Sequence, residues 1–247
     1  MGTTVGDLLR EWRVMRRLSQ LDLATVAEVS TRHLSCVENA RARPSRELIL
    51  HLARFLDVPM RDRNKLLLAA GFAPVYPEHS WNEEELDVVR EGIQWVLRSH
   101  EPYPATVVDR HWNLIEANRA STVLIDGVAP WLTAEPINLM RVAMHPDGLA
   151  ERVVNFAQWS SLVLQQLRRQ ITATDDRFLL DLYDELVGYP NVVAHAATAD
   201  TRASSVLIPL RLLVDGVELA FFNTVGTFWT AQDVTVAELI LETYFPA

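Results

Sequence analysis

The chain has 247 residues, 49% of them hydrophobic, which is enough to bury two cores and too apolar for a disordered polymer. A single cysteine, Cys36, excludes an internal disulfide framework and a thiolate zinc cluster. The formal charge of −9 argues against nucleic-acid binding when taken whole, yet residues 1–70 hold 12 Arg and Lys against 8 Asp and Glu and the remainder 11 against 24, so a basic head joins an acidic body.

The first seventy residues predict five short helices, with breaks at Arg17-Leu18-Ser19, Glu28-Val29-Ser30, Ala40 to Pro44 and Asp57-Val58-Pro59. Ser19 and Ser30 are suited to N-caps. Leu23, Val26, Leu34, Val37, Leu48, Leu52 and Leu56 recur at three- and four-residue steps, as inward helix faces require. Helices this short must pack on one another, and the compact bundle that results is the frame of a helix-turn-helix. Gly71 to Pro77, with one Gly and two Pro, cannot continue a helix and marks the expected boundary. The domains expected are therefore 1–70, a linker at 71–80, and 81–247.

The second part opens with an amphipathic helix from Asn82 carrying Leu86, Val89, Ile93 and Val96. Residues 105–109 and 112–117 read as two strands around a polar turn, with a helix opening at Asn118. A long helix is expected from Leu149 to Ile171, and another, capped near Asp175, with Phe178, Leu182 and Leu186 inside. Val206 to Val214, the Asp215-Gly216 turn and Val217 to Phe222 predict a hairpin, and Glu238 to Phe245 alternates like a further strand. The expected sheet is antiparallel, with helices on one face. No apolar run approaches the roughly 20 residues that span a bilayer, and Asp7 and Glu11 stand where a signal peptide would be apolar, so a cytoplasmic protein without membrane contact is expected.

The stretch from Ser19 to Pro44 resembles the XRE family, the lambda-type repressor helix-turn-helix: Gln20 opens the first motif helix, Ala24 is small, Val29 lies in the turn, Leu34 and Val37 point inward, and Glu38-Asn39 leads a basic loop. The resemblance implies a recognition helix in the major groove of double-stranded DNA. Ser30, Thr31, Arg32, Ser35 and Cys36 then fall on its exposed side, where Arg32 can pair with guanine O6 and N7. Gln20, Asn39, Arg41 and Arg43 are placed for phosphates. Arg13 and Glu38 occupy the positions of an ion pair between the first helix and the end of the recognition helix.

Further on, Glu101 to Ala105, Val108 to Asn113, Glu116 to Ala120 and Ile137 to Gly148 resemble the ligand-binding domain of MmyB-like regulators. That resemblance implies a PAS-like α+β domain with a five-stranded antiparallel sheet, behind an all-α helix-turn-helix domain, and a link to antibiotic and secondary metabolism. A PAS-like domain encloses its ligand between sheet and helices. Trp112, Leu114, Met140, Phe156 and Trp159 are candidate walls, and Asn138, Arg141 and His145 candidate polar groups, with Arg141 suited to a carboxylate. No nucleophile elbow, phosphate-cradling glycine loop or His-Glu-x-x-His motif is present, so a non-enzymatic regulator is expected, with no resident cofactor. The expected partners are an operator duplex, a small-molecule effector that is hydrophobic or fatty-acid-like and co-purifies with the protein, and a second copy in a homodimer. The alternative is a constitutive DNA-binding protein whose C-terminal domain only dimerises or binds another protein.

Overall fold

The computed structural model describes residues 3–196 and 207–247. Two compact units divide the chain: residues 1–78 with 232–234, and residues 79–231 with 235–247.

The first unit begins with five helices, α1 (Val5–Met15), α2 (Gln20–Val26), α3 (Thr31–Glu38), α4 (Arg46–Phe55) and α5 (Met60–Ala69). Four start on a hydroxyl cap. Thr4, Ser19, Ser30 and Ser45 each accept from the backbone N–H three residues on, at 3.1–3.2 Å, which satisfies donors that a helix leaves orphaned. Their ends are equally local: Arg17, Glu28, Ala40 and Asp57 take left-handed φ values of 47° to 57°, each at an expected break. The inward faces close on one another through Leu9, Leu23, Leu34, Ile49, Leu52, Leu56, Leu66 and Leu67, all fully buried. Each such side chain contributes about 1.5–3 kcal/mol. Val26 departs from the expected stripe, since it is 50% exposed and Ala27 takes the buried place. Gly6 allows α1 to lie against α3, where a Cβ would stand 2.4 Å from the Val37 carbonyl oxygen. After α5, Gly71 (φ 82°) ends the helix, Phe72 and Val75 pack on the core, and Asn64 Oδ1 accepts from the Val75 and Tyr76 N–H groups at 3.1 and 3.2 Å.

The second unit contains α6 (Asp87–Ser99), β1 (Ala105–Val108), β2 (Leu114–Ala117), α7 (Leu139–Met144), α8 (Phe156–Thr174), α9 (Arg177–Val187), α10 (Pro190–Ala196), β3 (Leu210–Val214), β4 (Val217–Gly226) and β5 (Ile240–Pro246). The strands form one antiparallel sheet in the order β2-β1-β5-β4-β3. This is the α+β PAS-like arrangement expected. Alternation decides its two faces. Val108, Leu210, Leu212, Phe221 and Tyr244 join the main core with α7, α8 and α9, while Ala105 and Val107 turn to the other side and pack with Ile93 and Leu97 of α6. The Asp215-Gly216 turn has φ of 48° and 80°, the left-handed pair that a two-residue hairpin needs.

Several expected elements differ, among them the helix expected from Asn82, which begins at Asp87 after a 3-10 turn over Glu84–Leu86. The long helix starts at Phe156 rather than Leu149, because Val153 bridges Leu212 and the Val154 N–H bonds the Arg211 carbonyl at 2.8 Å, holding this stretch along β3. Asn118 opens a short 3-10 turn over Arg119–Leu124 instead of an α-helix. Asp176, not Asp175, caps α9; Asp175 is left-handed and ends α8. The hairpin strand begins at Leu210, and Val206 lies outside the described residues. Among the described residues no helix is long and apolar enough to cross a membrane.

Candidate DNA-reading helix and ligand cavity

The recognition helix α3 is held from behind by a buried ion pair. Arg13 Nε and Nη2 donate to Glu38 Oε1 and Oε2 at 2.7 and 2.9 Å, and Arg13 Nη1 donates to the Leu18 carbonyl. Burial pushes the Glu38 carboxyl up, but hydrogen bonds from Arg13 and Gln20 and the attraction of Arg13 and Arg10 outweigh it and keep it below the usual carboxylate range. The same hydrogen bonds, donated to Glu38, raise the Arg13 guanidinium. The pair fixes the C-terminal end of α3 against α1 and α2, while Ser30 fixes the other end.

This geometry sorts the expected DNA residues. Arg32 is exposed on the first turn of α3, and its guanidinium makes no hydrogen bond or ion pair with the described residues. Thr31, Ser35 and Cys36 are half-buried beside it. Arg41, in the loop that follows, is also exposed with a guanidinium free of described partners. The other four candidates are engaged, Ser30 as the cap of α3. Gln20 Nε2 donates to Glu38 Oε2 at 2.8 Å, and Asn39 bridges the Ser35 carbonyl and Arg10. Arg43 donates to the Ala70 carbonyl at 2.9 Å and lies over the Phe72 ring.

In the second unit a cavity of about 430 Å³ opens between the sheet and helices α7 and α8, within the range of small-molecule sites. Trp112, Met140 and Trp159 line it, as the sequence suggested; Leu114 and Phe156 do not. Trp112 is set by its backbone, with φ of 68° at the end of the β1–β2 turn, and its indole N–H donates to Gln170 Oε1 at 2.8 Å.

The three expected polar groups have other partners and do not line the cavity. Asn138 caps α7 by accepting from the Arg141 N–H, and donates to the His111 carbonyl at 2.8 Å. Arg141 forms a two-bond pair with Glu185 at 2.8 and 2.7 Å, and the Tyr189 hydroxyl donates to the same carboxylate at 2.6 Å. That contact holds the Glu185 carboxyl below its usual range, through the Arg141 hydrogen bond above all. His145 lies between the Trp131 and Tyr189 rings, and its Nδ1 accepts from the Asp147 N–H.

The polarity of the cavity comes instead from residues that the sequence reading passed over. Asn223 and Glu242 line it from β4 and β5, and Gln165, Gln166 and Arg169 from α8. Glu242 carried a signal: it is a charge at an inward position of an alternating strand, between Ile240 and Tyr244. Burial pushes its carboxyl up to about 7 although Asn223, Thr106 and Tyr244 all donate to it.

A family model described as a helix-turn-helix domain matches residues 4–66. A second, the MmyB-like transcription regulator ligand binding domain, matches residues 89–247. No curated protein matches the chain. With a capped recognition helix in one unit and an apolar cavity under a PAS-like sheet in the other, the chain belongs to the MmyB-like family of transcription regulators, with a DNA-binding helix-turn-helix and a ligand-sensing domain.

Proposed function

We propose that the chain is a sequence-specific DNA-binding regulator that works as a homodimer and whose affinity for its operator is set by a small, mainly apolar effector. The observation that carries this reading is the cavity between α7, α8 and the sheet, walled by Trp112, Leu124, Met140, Leu149 and Trp159. An interior closed by packing would leave room for nothing larger than water, whereas this volume equals that of a dozen or so waters at about 30 Å³ each. Residues 1–70 read the duplex in this account and residues 81–247 read the effector.

On the DNA side, Arg32 specifies and Arg41 positions. One recognition helix reaches too few base pairs for specificity, so two half-sites about one helical turn apart are expected. Selection of bound duplexes from a random pool, followed by anisotropy titrations, tests this. A near-palindrome should emerge, Arg32→Ala should flatten preference at one base per half-site by about 1–3 kcal/mol, and Arg41→Ala should weaken all duplexes alike and lower the salt slope by about one. Equal losses on every duplex for Arg32→Ala would contradict its role. Arg43→Ala should act through stability, because its guanidinium holds the end of α5.

A further inference from the structure

We propose that the effector is an amphipathic amine whose apolar body lies between α8 and the sheet and whose protonated nitrogen meets the carboxyl of Glu242. The inference rests on the sensor reading above and adds the chemistry of the head group. Glu242 is buried, faces the cavity from the middle of the sheet, and accepts from Asn223 Nδ2 at 3.2 Å, from Thr106 Oγ1 at 3.5 Å and from the Tyr244 hydroxyl. All three donors are neutral. Among the described residues no cation pairs with this carboxyl, and a buried carboxyl needs one to stay ionised. Three donors aimed at the two oxygens suit a carboxylate, and the open side of the group faces the cavity. A cationic ligand supplies the missing counter-charge at that place.

Every element packed around Glu242 agrees with this assignment. Thr106 of β1, Asn223 of β4 and Tyr244 of β5 are uncharged donors, and α7 brings only apolar Leu139, Met140, Val142 and Ala143. The cation that does line the cavity, Arg169 of α8, is exposed and donates to Gln165 Oε1 at 3.3 Å. It would draw a fatty-acid head outward to the rim, with the chain pointing inward.

Without ligand, burial keeps the Glu242 proton on up to about pH 7. An ammonium entering the site drives that proton from the carboxyl oxygen to solvent, so binding releases one proton below this pH. Affinity for an amine should then rise about tenfold between about pH 6 and about pH 8, while that for an alcohol should stay level.

The test is isothermal titration of the full chain with decylamine, decanoate and decanol, below their micelle concentrations, at both pH values. The native chain should prefer decylamine. Glu242→Gln, which keeps the shape and all three neighbours, should weaken decylamine at least tenfold near pH 8 and abolish its pH dependence, while leaving decanol within twofold. Arg169→Gln should leave decylamine within twofold. Melting of the unliganded Glu242→Gln chain at or above the native temperature establishes that it folds. Decanoate or decanol binding as tightly as decylamine overturns the amine inference and leaves the sensor reading standing, as does an unchanged affinity in Glu242→Gln. No heat from any of the three also overturns it, and the sensor reading is then decided by whether filling the cavity changes operator affinity.

Discussion

Glu242 makes the stability of this protein depend on pH in an unusual direction. Its folded pKa is raised from 4.5 to about 7, so between these values the folded chain holds a proton that the unfolded chain has lost. Stability from this group is highest below about 4.5, falls as pH rises, and is lowest above 7, by about 3 kcal/mol in all. Glu38, Asp176 and Glu185 are shifted the other way, so their contribution is lost only as pH falls through the acid range below their ordinary values. Glu242→Gln should therefore raise the unfolding free energy near pH 8 and flatten its decline from about pH 5; denaturant unfolding at several pH values measures both, and a parallel decline in the two proteins would contradict the assignment. At this scale the sequence was partly legible. Arg32 could be placed because α3 is set by local capping and periodicity. Arg141 stands outside the cavity lining because it pairs with Glu185, 44 residues away on α9, and nothing in the local pattern announces that pair. The inward place of Glu242 was visible in the alternation of β5, but its neighbours on β1 and β4 come only with the strand order.

Among the elements, the recognition helix depends on one buried pair. Removing one partner leaves an uncompensated charge, so Glu38→Ala should cost about 3–5 kcal/mol of stability in the first unit, and Arg13→Ala a similar amount. The double variant should lose less than the sum of the two, because each single change already breaks the pair. Thermal unfolding of all three decides it, and additive losses would show that the contact contributes little. The five helices were legible down to their breaks, since serine caps and left-handed stops are local signals and each works within four residues. Strand existence was legible for the same reason, through alternation of period two. The start of α8 was not. Leu149 and Val153 keep the helical spacing of an apolar face, yet the backbone from Val153 to Asn155 is drawn along β3, where Asn155 bonds the Pro209 carbonyl and the Arg211 N–H. Tertiary pairing overrode a periodic pattern that was equally consistent with a longer helix.

For the whole molecule, the basic head and acidic body seen in the sequence correspond to a unit with Arg32 and Arg41 exposed on and just after α3 and a unit built around an apolar cavity. The order of the strands was not legible, because β1 pairs with β5 across more than a hundred residues of intervening chain. On the proposed function, occupancy of the cavity and affinity for DNA are one linked equilibrium. The most direct measurement compares operator affinity, by fluorescence anisotropy, for the native chain and for Ala143→Phe, which fills the cavity from α7 with a side chain in place of an effector. With melting temperature unchanged within a few degrees, the filled variant should bind the operator with a Kd at least about fivefold different from that of the empty native protein. A folded Ala143→Phe chain with the native operator Kd would contradict the account and leave the second unit a passive partner of the DNA-binding one.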